Sequence, residues 1–172
     1  MKHAILLISA MNIFSIFAHA DPLALGSPAP CITAKNQDGE DIAFADVYAK
    51  GITLVYFYPK AETPGCTKEA CSLRDAYEGL HAKGLQILGV SRDTPESQKK
   101  FKLNRNLPFT LIADTDGKVA EAFKVPLFPG IGMTKRQSFI IKNGKLVWAS
   151  LSAQTSGAAQ EVQDALEAVQ MQ

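Results

Sequence analysis

Basic clusters, histidines and long apolar runs are scarce in this chain of 172 residues, and each shortage argues against a class of function. The 18 basic and 17 acidic residues nearly cancel, and no long basic run occurs. Such a chain lacks the positive surface that attracts nucleic acids or anionic membranes, so we expect neither partner. Only three histidines are present, and two lie within the first 20 residues. No internal repeat is visible, and we expect one domain over residues 21–172.

The first 20 residues have the pattern of a secretory signal peptide. Lys2 and His3 precede an apolar run over residues 4–17, and a small-x-small cleavage box, Ala18-His19-Ala20, follows it. A membrane-spanning helix needs about 20 apolar residues, so this run is short for one. We expect cleavage after Ala20, export to a bacterial periplasm, and no membrane attachment afterwards. A leader that remains as a membrane anchor is the alternative.

The stretch over residues 52–71 organises the rest of the chain. Its first part, residues 52–58, is an aromatic and β-branched apolar run that predicts a buried strand ended by Pro59. Residues 63–65, Thr-Pro-Gly, predict a turn. Good helix formers follow from Thr67 onward, with apolar residues at helical spacing at Leu73, Tyr77 and Leu80.

This pattern places Cys66 in the first turn of a helix that follows a central strand. A helix N-terminus carries unpaired N–H groups and a partial positive charge, and both stabilise a thiolate. The thiolate is the reactive form of cysteine. Cys66 is therefore the candidate reactive cysteine, and Cys71, five residues on, is its candidate partner.

The spacing of these two cysteines restricts how they could bond. On an ideal helix, five residues place the two Cα atoms about 8–9 Å apart, whereas a disulfide needs them within about 7 Å. Either the helix does not include both cysteines, or it unwinds when the bond forms. A bond that requires unwinding is strained and suits a catalytic cycle. A static structural bridge is the alternative.

The residues around Cys66 resemble the active-site pattern of the peroxiredoxins, Pro59-x-x-x-Thr63-x-x-Cys66. The longer string through Cys71 and Arg74 resembles the Q-type branch, also called bacterioferritin comigratory proteins, in which the second cysteine lies five residues after the first. Three further motifs continue this resemblance over nearly the whole chain after the leader: Gly89-Val90-Ser91-x-Asp93, Asn106-Leu107-Pro108-Phe109-Thr110-Leu111 and Arg136-x-Ser138-Phe139-Ile140-Ile141.

The resemblance implies a thioredoxin-like α/β fold, with a central mixed sheet and helices on both faces. It also implies a thiol-dependent peroxidase that reduces hydrogen peroxide and organic hydroperoxides. Cys66 would be the peroxidatic cysteine, and Cys71 would resolve its sulfenic acid as an intramolecular disulfide. Thr63 would offer a hydroxyl to the peroxide, Arg136 would hold the thiolate and polarise the O–O bond, and Pro59 would shield the site from water.

The same resemblance implies a thioredoxin-like dithiol protein as reductant, with no cofactor and no metal. The expected oligomeric state is a monomer, with a weak dimer as the alternative.

Purely structural interpretations of two residues near Cys66 also remain open. Thr63 could serve only as a turn residue and helix cap, and Glu69 reads as a first-turn acid that favours the helix dipole.

Two functions from other classes stay open at this point. An exported thioredoxin-like disulfide oxidoreductase without peroxidase activity would normally use Cys-x-x-Cys, whereas here four residues separate the cysteines. A copper carrier would need a third soft or imidazole ligand beside Cys66 and Cys71. His81 is the only histidine after the leader, on what we predict to be the same helix as Cys71.

Cys31 is the third cysteine and has no evident partner. We expect it to be buried, where it would act as a small apolar residue. The alternatives are a bond to another chain or a part in resolving the sulfenic acid.

Turn and cap signals divide the remainder of the chain into short elements. Asn143-Gly144 is a strong hairpin signal, and Thr94-Pro95 opens a helix. We predict a turn at 37–41 between short strands, strands at 85–91, 109–113, 137–141 and 145–150, helices at 95–106, 118–123 and 157–169, and a loop at 124–134.

Overall fold

A five-stranded sheet forms the centre of the computed structural model, which describes residues 21–171. The predicted signal peptide lies outside the described residues. The order in the sheet is β5-β4-β3-β6-β7. The strands are β3 (Ile52–Phe57), β4 (Leu85–Ser91), β5 (Thr110–Ala113), β6 (Gln137–Lys142) and β7 (Lys145–Ser150). A separate two-stranded sheet, β1 (Thr33–Lys35) with β2 (Asp41–Ala43), closes the predicted turn at 37–41.

The sheet is mixed because β3 pairs differently on its two sides. It runs parallel to β4 and antiparallel to β6. A parallel neighbour requires a crossover connection, and two helices provide it here. Burial on both faces explains why β3 reads as a continuous apolar run rather than an alternating one. The predicted strands of the central sheet are confirmed, with ends that differ by at most one residue.

Six helices cover the two faces of this sheet in the described part of the chain: α1 (Phe44–Tyr48), α2 (Pro64–Asp75), α3 (Tyr77–Ala82), α4 (Pro95–Arg105), α5 (Lys118–Ala122) and α6 (Ala158–Gln170). Alternate residues of β3 point to opposite faces. Leu54 and Tyr56 join a core with α2, α3, α4 and α6. Val55 and Phe57 join a second core with α1 and α5. The predicted fold class, a sheet with helices on both faces, is confirmed.

Three local predictions are also confirmed: the cap at Thr94, the end of its helix near Asn106 and the hairpin turn at Asn143-Gly144. Thr94 caps α4, and its hydroxyl accepts a hydrogen bond from the Ser97 N–H at 3.3 Å. Asn106 ends that helix in the left-handed conformation, with φ of 52°. Asn143 and Gly144 both have positive φ, 53° and 69°, as the tightest hairpin turn requires.

One local expectation about helices is wrong, and one short helix was not expected. The sequence predicts one helix through Cys71 and His81, but Ala76 interrupts it with φ of −95° and ψ of 0°. These values are typical of a turn rather than of helix, and they place His81 on α3. The short helix α1 was not predicted, because five residues carry too little periodicity to show an apolar face. Over residues 21–171, no helix is both long enough and apolar enough for a membrane span.

Candidate active site

Cys66 is the third residue of α2, as the sequence predicts, and its side chain is 2% exposed. The loop over residues 58–63 leads from the end of β3 to this helix. Two side chains outside the loop fix its backbone. The Thr134 hydroxyl donates to the Tyr58 carbonyl at 2.9 Å, and Asp93 Oδ2 accepts from the Ala61 N–H at 2.8 Å. The loop that leads to the cysteine helix is therefore held by hydrogen bonds from two segments that flank the sheet.

The start of α2 has no side-chain cap. Thr63 occupies the capping position, but its hydroxyl donates to the Lys60 carbonyl at 2.9 Å instead. Pro64 suits the first helical position because it has no N–H to satisfy. Among residues 21–171, no acceptor takes the N–H of Gly65 or of Cys66. Two donors thus remain beside the sulfur, and the Thr63 oxygen keeps its capacity to accept a hydrogen bond.

Arg136 lies directly against the thiol. Its Nη2 atom is 3.3 Å from Cys66 Sγ, and its Nη1 atom donates to Glu69 Oε2. The sheet creates this contact, because β6 pairs antiparallel with β3 and the register places Gln137 opposite Phe57. The residue before β6 therefore reaches the loop that follows β3. Cys66 and Arg136 lie 70 residues apart in the sequence, and the pairing of β3 with β6 brings them into contact.

Glu69 does not have the role that its sequence position suggests. It lies beyond the first turn of α2, is 1% exposed, and forms an ion pair with Arg136. The interpretation of Glu69 as a first-turn acid that favours the helix dipole is therefore wrong. It follows Cys66 by three positions, so both side chains lie on the same face of the helix. Glu69 holds one nitrogen of the guanidinium while the other nitrogen faces the sulfur.

Burial and pairing set the charges of this group. Burial raises the pKa of the Glu69 carboxyl to about 8, and the Arg136 guanidinium opposes that rise. Burial alone lowers the pKa of Arg136, but Glu69 and Cys66 raise it, and the net change is upward. Arg136 therefore stays positive. Because burial raises the pKa of the Glu69 carboxyl, Glu69 neutralises the guanidinium less completely than an exposed carboxylate would, and part of the guanidinium charge acts on the sulfur.

Cys71 is half-buried on the same helix and lines an open groove between α2 and α6. All three cysteines are unbonded. The next residue, Ser72, ties the helix to α6: its hydroxyl donates to the Ser156 carbonyl at 3.2 Å and accepts from the Ala159 N–H at 3.1 Å. Since α2 includes both cysteines without a break, a bond between them requires part of the helix to unwind.

Pro59 and Cys31 each line a cavity whose lining does not include Cys66. Pro59 is half-buried and lines a cavity of about 560 Å³ with Arg92 and Asp93, and Cys66 is not among the residues that line it. Cys31 is exposed, so the expectation of a buried thiol is wrong. It lies beside Asn143, at the far end of β6 from Arg136.

His81 lies on α3 rather than on the helix that carries the cysteines. The imidazole ring of His81 stacks on the ring of Tyr77, with centroids 5.3 Å apart. Within residues 21–171, no three His, Cys, Asp or Glu side chains are grouped so as to hold a metal ion. The arrangement proposed for a copper carrier is therefore not formed in the described structure.

A mixed sheet with helices on both faces, and a buried thiol at an uncapped helix start that faces an arginine at the edge of this sheet, define a cysteine-based redox protein with a thioredoxin-like fold. Its family is equally clear, because the family model of AhpC/TSA matches residues 25–149. The chain belongs to the AhpC/TSA family.

Individual relatives narrow this to the Q-type peroxiredoxins. The chain is 39% identical over 131 residues, 76% of its length, to a chloroplastic peroxiredoxin Q of Gentiana triflora. That match spans 58% of the relative, so the chain corresponds to little more than half of such plant proteins.

Solved structures agree with this assignment. Peroxidoxin BcpB of Mycobacterium tuberculosis has a TM-score of 0.79 at 28% identity, over 84% of this chain and 97% of that one. A bacterioferritin comigratory protein of Xanthomonas campestris, whose structures concern alkyl peroxide reduction, has a TM-score of 0.74 at 28% identity, over 80% and 91% of the two chains.

Proposed function

We propose that this protein is a thiol-dependent peroxidase that reduces hydrogen peroxide and organic hydroperoxides. One observation carries the proposal: Arg136 Nη2 lies 3.3 Å from the buried sulfur of Cys66. A fixed cation at this distance stabilises a thiolate and also a negative charge that develops on a departing oxygen. The alkyl peroxide reduction named for the Xanthomonas campestris protein supports the organic part of the substrate range.

In the first step, the Cys66 thiolate attacks one peroxide oxygen, the O–O bond breaks, and the leaving oxygen takes a proton to give water or an alcohol. Ionisation alone does not explain an efficient reaction. A thiol with an ordinary pKa of about 8.5 is already about 3% ionised at pH 7, so full ionisation gains only about thirtyfold. The remaining acceleration, up to a millionfold or more in enzymes, must come from positioning and from charge stabilisation.

The site offers groups for both tasks. The free N–H groups of Gly65 and Cys66, at the start of the helix that carries the sulfur, would donate to peroxide oxygens. The Thr63 oxygen would accept a hydrogen bond from the peroxide O–H, since the Thr63 hydroxyl already donates its own hydrogen to the Lys60 carbonyl. Arg136 would stabilise the leaving oxygen. Pro59 would act as a shield that limits water near the loop, and it has no chemical group for the reaction.

The second step converts the sulfenic acid of Cys66 into a disulfide with Cys71, with loss of water. The intact helix keeps the two sulfurs apart, so α2 has to unwind between the two steps. We expect a thioredoxin-like dithiol protein to reduce this disulfide. If the predicted signal peptide directs the chain to a bacterial periplasm, the donor belongs to that compartment and differs from cytosolic thioredoxin.

The test is peroxide consumption by the reduced protein, combined with thiol counting on single Cys→Ser variants. We expect rapid consumption that is lost in Cys66→Ser. We also expect two thiols to disappear per turnover, which requires Cys71. If the wild-type protein reacts no faster than a simple thiol, the peroxidase is excluded. A disulfide oxidoreductase without peroxidase activity would then be the better interpretation.

The donor and the leader need separate measurements. Mass determination of the exported protein should find Asp21 as the first residue, and an uncleaved leader would contradict the export proposal. Turnover with an exported dithiol carrier should exceed turnover with cytosolic thioredoxin. The reverse order would contradict a periplasmic donor while leaving the peroxidase intact.

A further inference from the structure

Glu62, directly before Thr63, has an unusual backbone conformation. Its φ is 62°, in the left-handed region that residues with a Cβ atom rarely adopt. This conformation is unfavourable by itself, so other contacts must maintain it. The residue lies in the loop that positions Cys66, and whatever holds it also holds the start of α2.

The side chain of Glu62 supplies those contacts. Its Oε2 atom accepts hydrogen bonds from Arg105 Nη2 at 2.6 Å and Nε at 3.2 Å, and its Oε1 atom accepts from Asn104 Nδ2 at 2.7 Å. Both carboxylate oxygens are therefore engaged by the last turn of α4. Charge-assisted contacts of this kind are stronger than neutral hydrogen bonds. We name Glu62, Asn104 and Arg105 the loop clasp.

The loop clasp also touches the other end of the cysteine segment. The carbonyl of Arg105 accepts a hydrogen bond from Arg74 Nη1 at 2.8 Å. Arg74 follows Cys71 by three residues, which places the two side chains on the same face of α2. The end of α4 thus fastens the chain just before Cys66 and again just after Cys71. The segment between these two anchors is the one that must unwind for a disulfide to form.

We propose that Glu62 is a positioning residue that sets how often α2 unwinds, and thereby divides the Cys66 sulfenic acid between two fates. In one, the sulfenic acid and the Cys71 thiol condense to a disulfide and water. In the other, a second peroxide oxidises the sulfenic acid to a sulfinic acid and is itself reduced to water or an alcohol. This inference rests on the proposed peroxidase function.

The two steps should respond differently to a weaker clasp. Unwinding is needed only for the disulfide, so that step becomes faster and less sulfinic acid accumulates. The attack on peroxide uses the folded site, which remains the dominant population, so its rate constant stays within twofold of the wild type. General damage to the fold would instead slow the first step, and this contrast separates positioning from mere stability.

The experiment compares Glu62→Gln with Glu167→Gln in the full chain. Glu167 is the control, because its carboxylate likewise pairs with a cation, Lys83, at 3.1 Å, but on the surface of α6 and away from the cysteine segment. Hydrogen exchange of the reduced proteins reports opening of the amides of residues 67–71 without any peroxide. We expect Glu62→Gln to accelerate their exchange about fivefold, which corresponds to about 1 kcal/mol. Amides of β3 should not change in either variant.

A second measurement titrates each variant with peroxide and quantifies Cys66 sulfinic acid by mass spectrometry. Glu62→Gln should form several-fold less than the wild type, Arg105→Gln should reproduce this effect, and the double variant should add little. Unchanged exchange and unchanged sulfinic acid in Glu62→Gln would overturn the proposal. A wild type that fails to consume peroxide would refute the peroxidase instead, and the exchange result would still report on the clasp.

Discussion

Arg136 is the residue on which charge at the reacting sulfur depends, because its guanidinium contacts both Cys66 and Glu69. We expect Arg136→Gln to lower the rate constant for peroxide about 10²-fold, the usual loss when one stabilising donor is removed. Arg136→Lys should fall in between, since an ammonium group lacks the planar fork that reaches two partners. The measurement is stopped-flow reaction of the reduced protein with hydrogen peroxide.

The neighbouring residue offers the control for this prediction. Lys135 is an exposed cation one position earlier, so Lys135→Gln changes net charge equally without touching the thiol. It should react as the wild type does. Equal losses in both variants would mean that long-range charge, rather than the contact at the sulfur, governs the rate.

Glu69 should make stability depend on pH. Its folded pKa of about 8 lies above the ordinary value of 4.5, so the folded state binds the extra proton. The associated stability is fully present below pH 4.5 and is lost as the pH rises toward 8. Each pH unit in this window changes the free energy of unfolding by at most about 1.4 kcal/mol.

Urea unfolding of the reduced protein at pH 5 and pH 8 checks this expectation. The wild type should lose stability over the interval, and Glu69→Gln should lose less because its amide does not titrate. Glu167→Gln, which alters an exposed carboxylate, should keep the wild-type slope. A Glu69→Gln variant with an unchanged slope would show that this carboxyl is ionised throughout.

At the residue scale, the sequence predicts the groups whose chemistry is local. Cys66 was recognisable as a candidate reactive cysteine because it follows a turn at the start of a helix. Arg136 was recognisable because the residues that follow it match a motif of the family. The role of Glu69 was not recognisable from the sequence. An acid near a helix start usually faces solvent, and only the pairing of β3 with β6 brings a cation to this one. Burial created by distant residues has no local signal.

At the scale of secondary-structure elements, the close packing of β4 against the Tyr56 side chain of β3 requires a glycine at position 89. Gly89 lies opposite Tyr56, and a Cβ atom there would be 2.7 Å from the Tyr56 Oη atom and 2.8 Å from Leu111 Cδ2. We expect Gly89→Ala to destabilise the fold by about 1–3 kcal/mol through overpacking. Thermal or urea unfolding measures the change.

Gly79 supplies the opposite case for the same substitution. It is exposed on α3, and nothing lies within 4 Å of a Cβ atom built there. Gly79→Ala should therefore stabilise the protein by about 0.5–1 kcal/mol, because alanine loses less backbone freedom on folding. If both variants were destabilised equally, contact at Gly89 would not be the cause.

The elements that the sequence predicts well are those whose signals are complete within a few residues. A continuous apolar run defines β4, Thr94 and Pro95 define the start of α4, and Asn143-Gly144 defines the last hairpin. The break at Ala76 was missed because alanine favours helix locally. Its turn-like dihedral angles depend on how α2 and α3 each pack on the sheet, which short-range patterns do not contain.

For the molecule as a whole, the sheet separates Cys31 from the other two cysteines. Cys31 shares a shallow cavity with Asn143, whereas Arg136 and Cys66 are in contact at the other end of β6. Seven residues of extended strand span about 23 Å. A disulfide holds its Cα atoms within about 7 Å, so the folded chain cannot join Cys31 to its own Cys66.

This separation predicts what happens when Cys71 is absent. After one equivalent of peroxide, Cys71→Ser should contain no disulfide within a single chain, and Cys66 should remain a sulfenic acid that a dimedone-type probe labels. Because Cys31 is exposed, any disulfide that does form should join two molecules and increase with protein concentration. Non-reducing gels at two concentrations and peptide mass spectrometry distinguish these products. A Cys31–Cys66 bond within one chain would require the N-terminal segment that carries Cys31 to move across the molecule, and it would contradict a cycle in which only α2 rearranges.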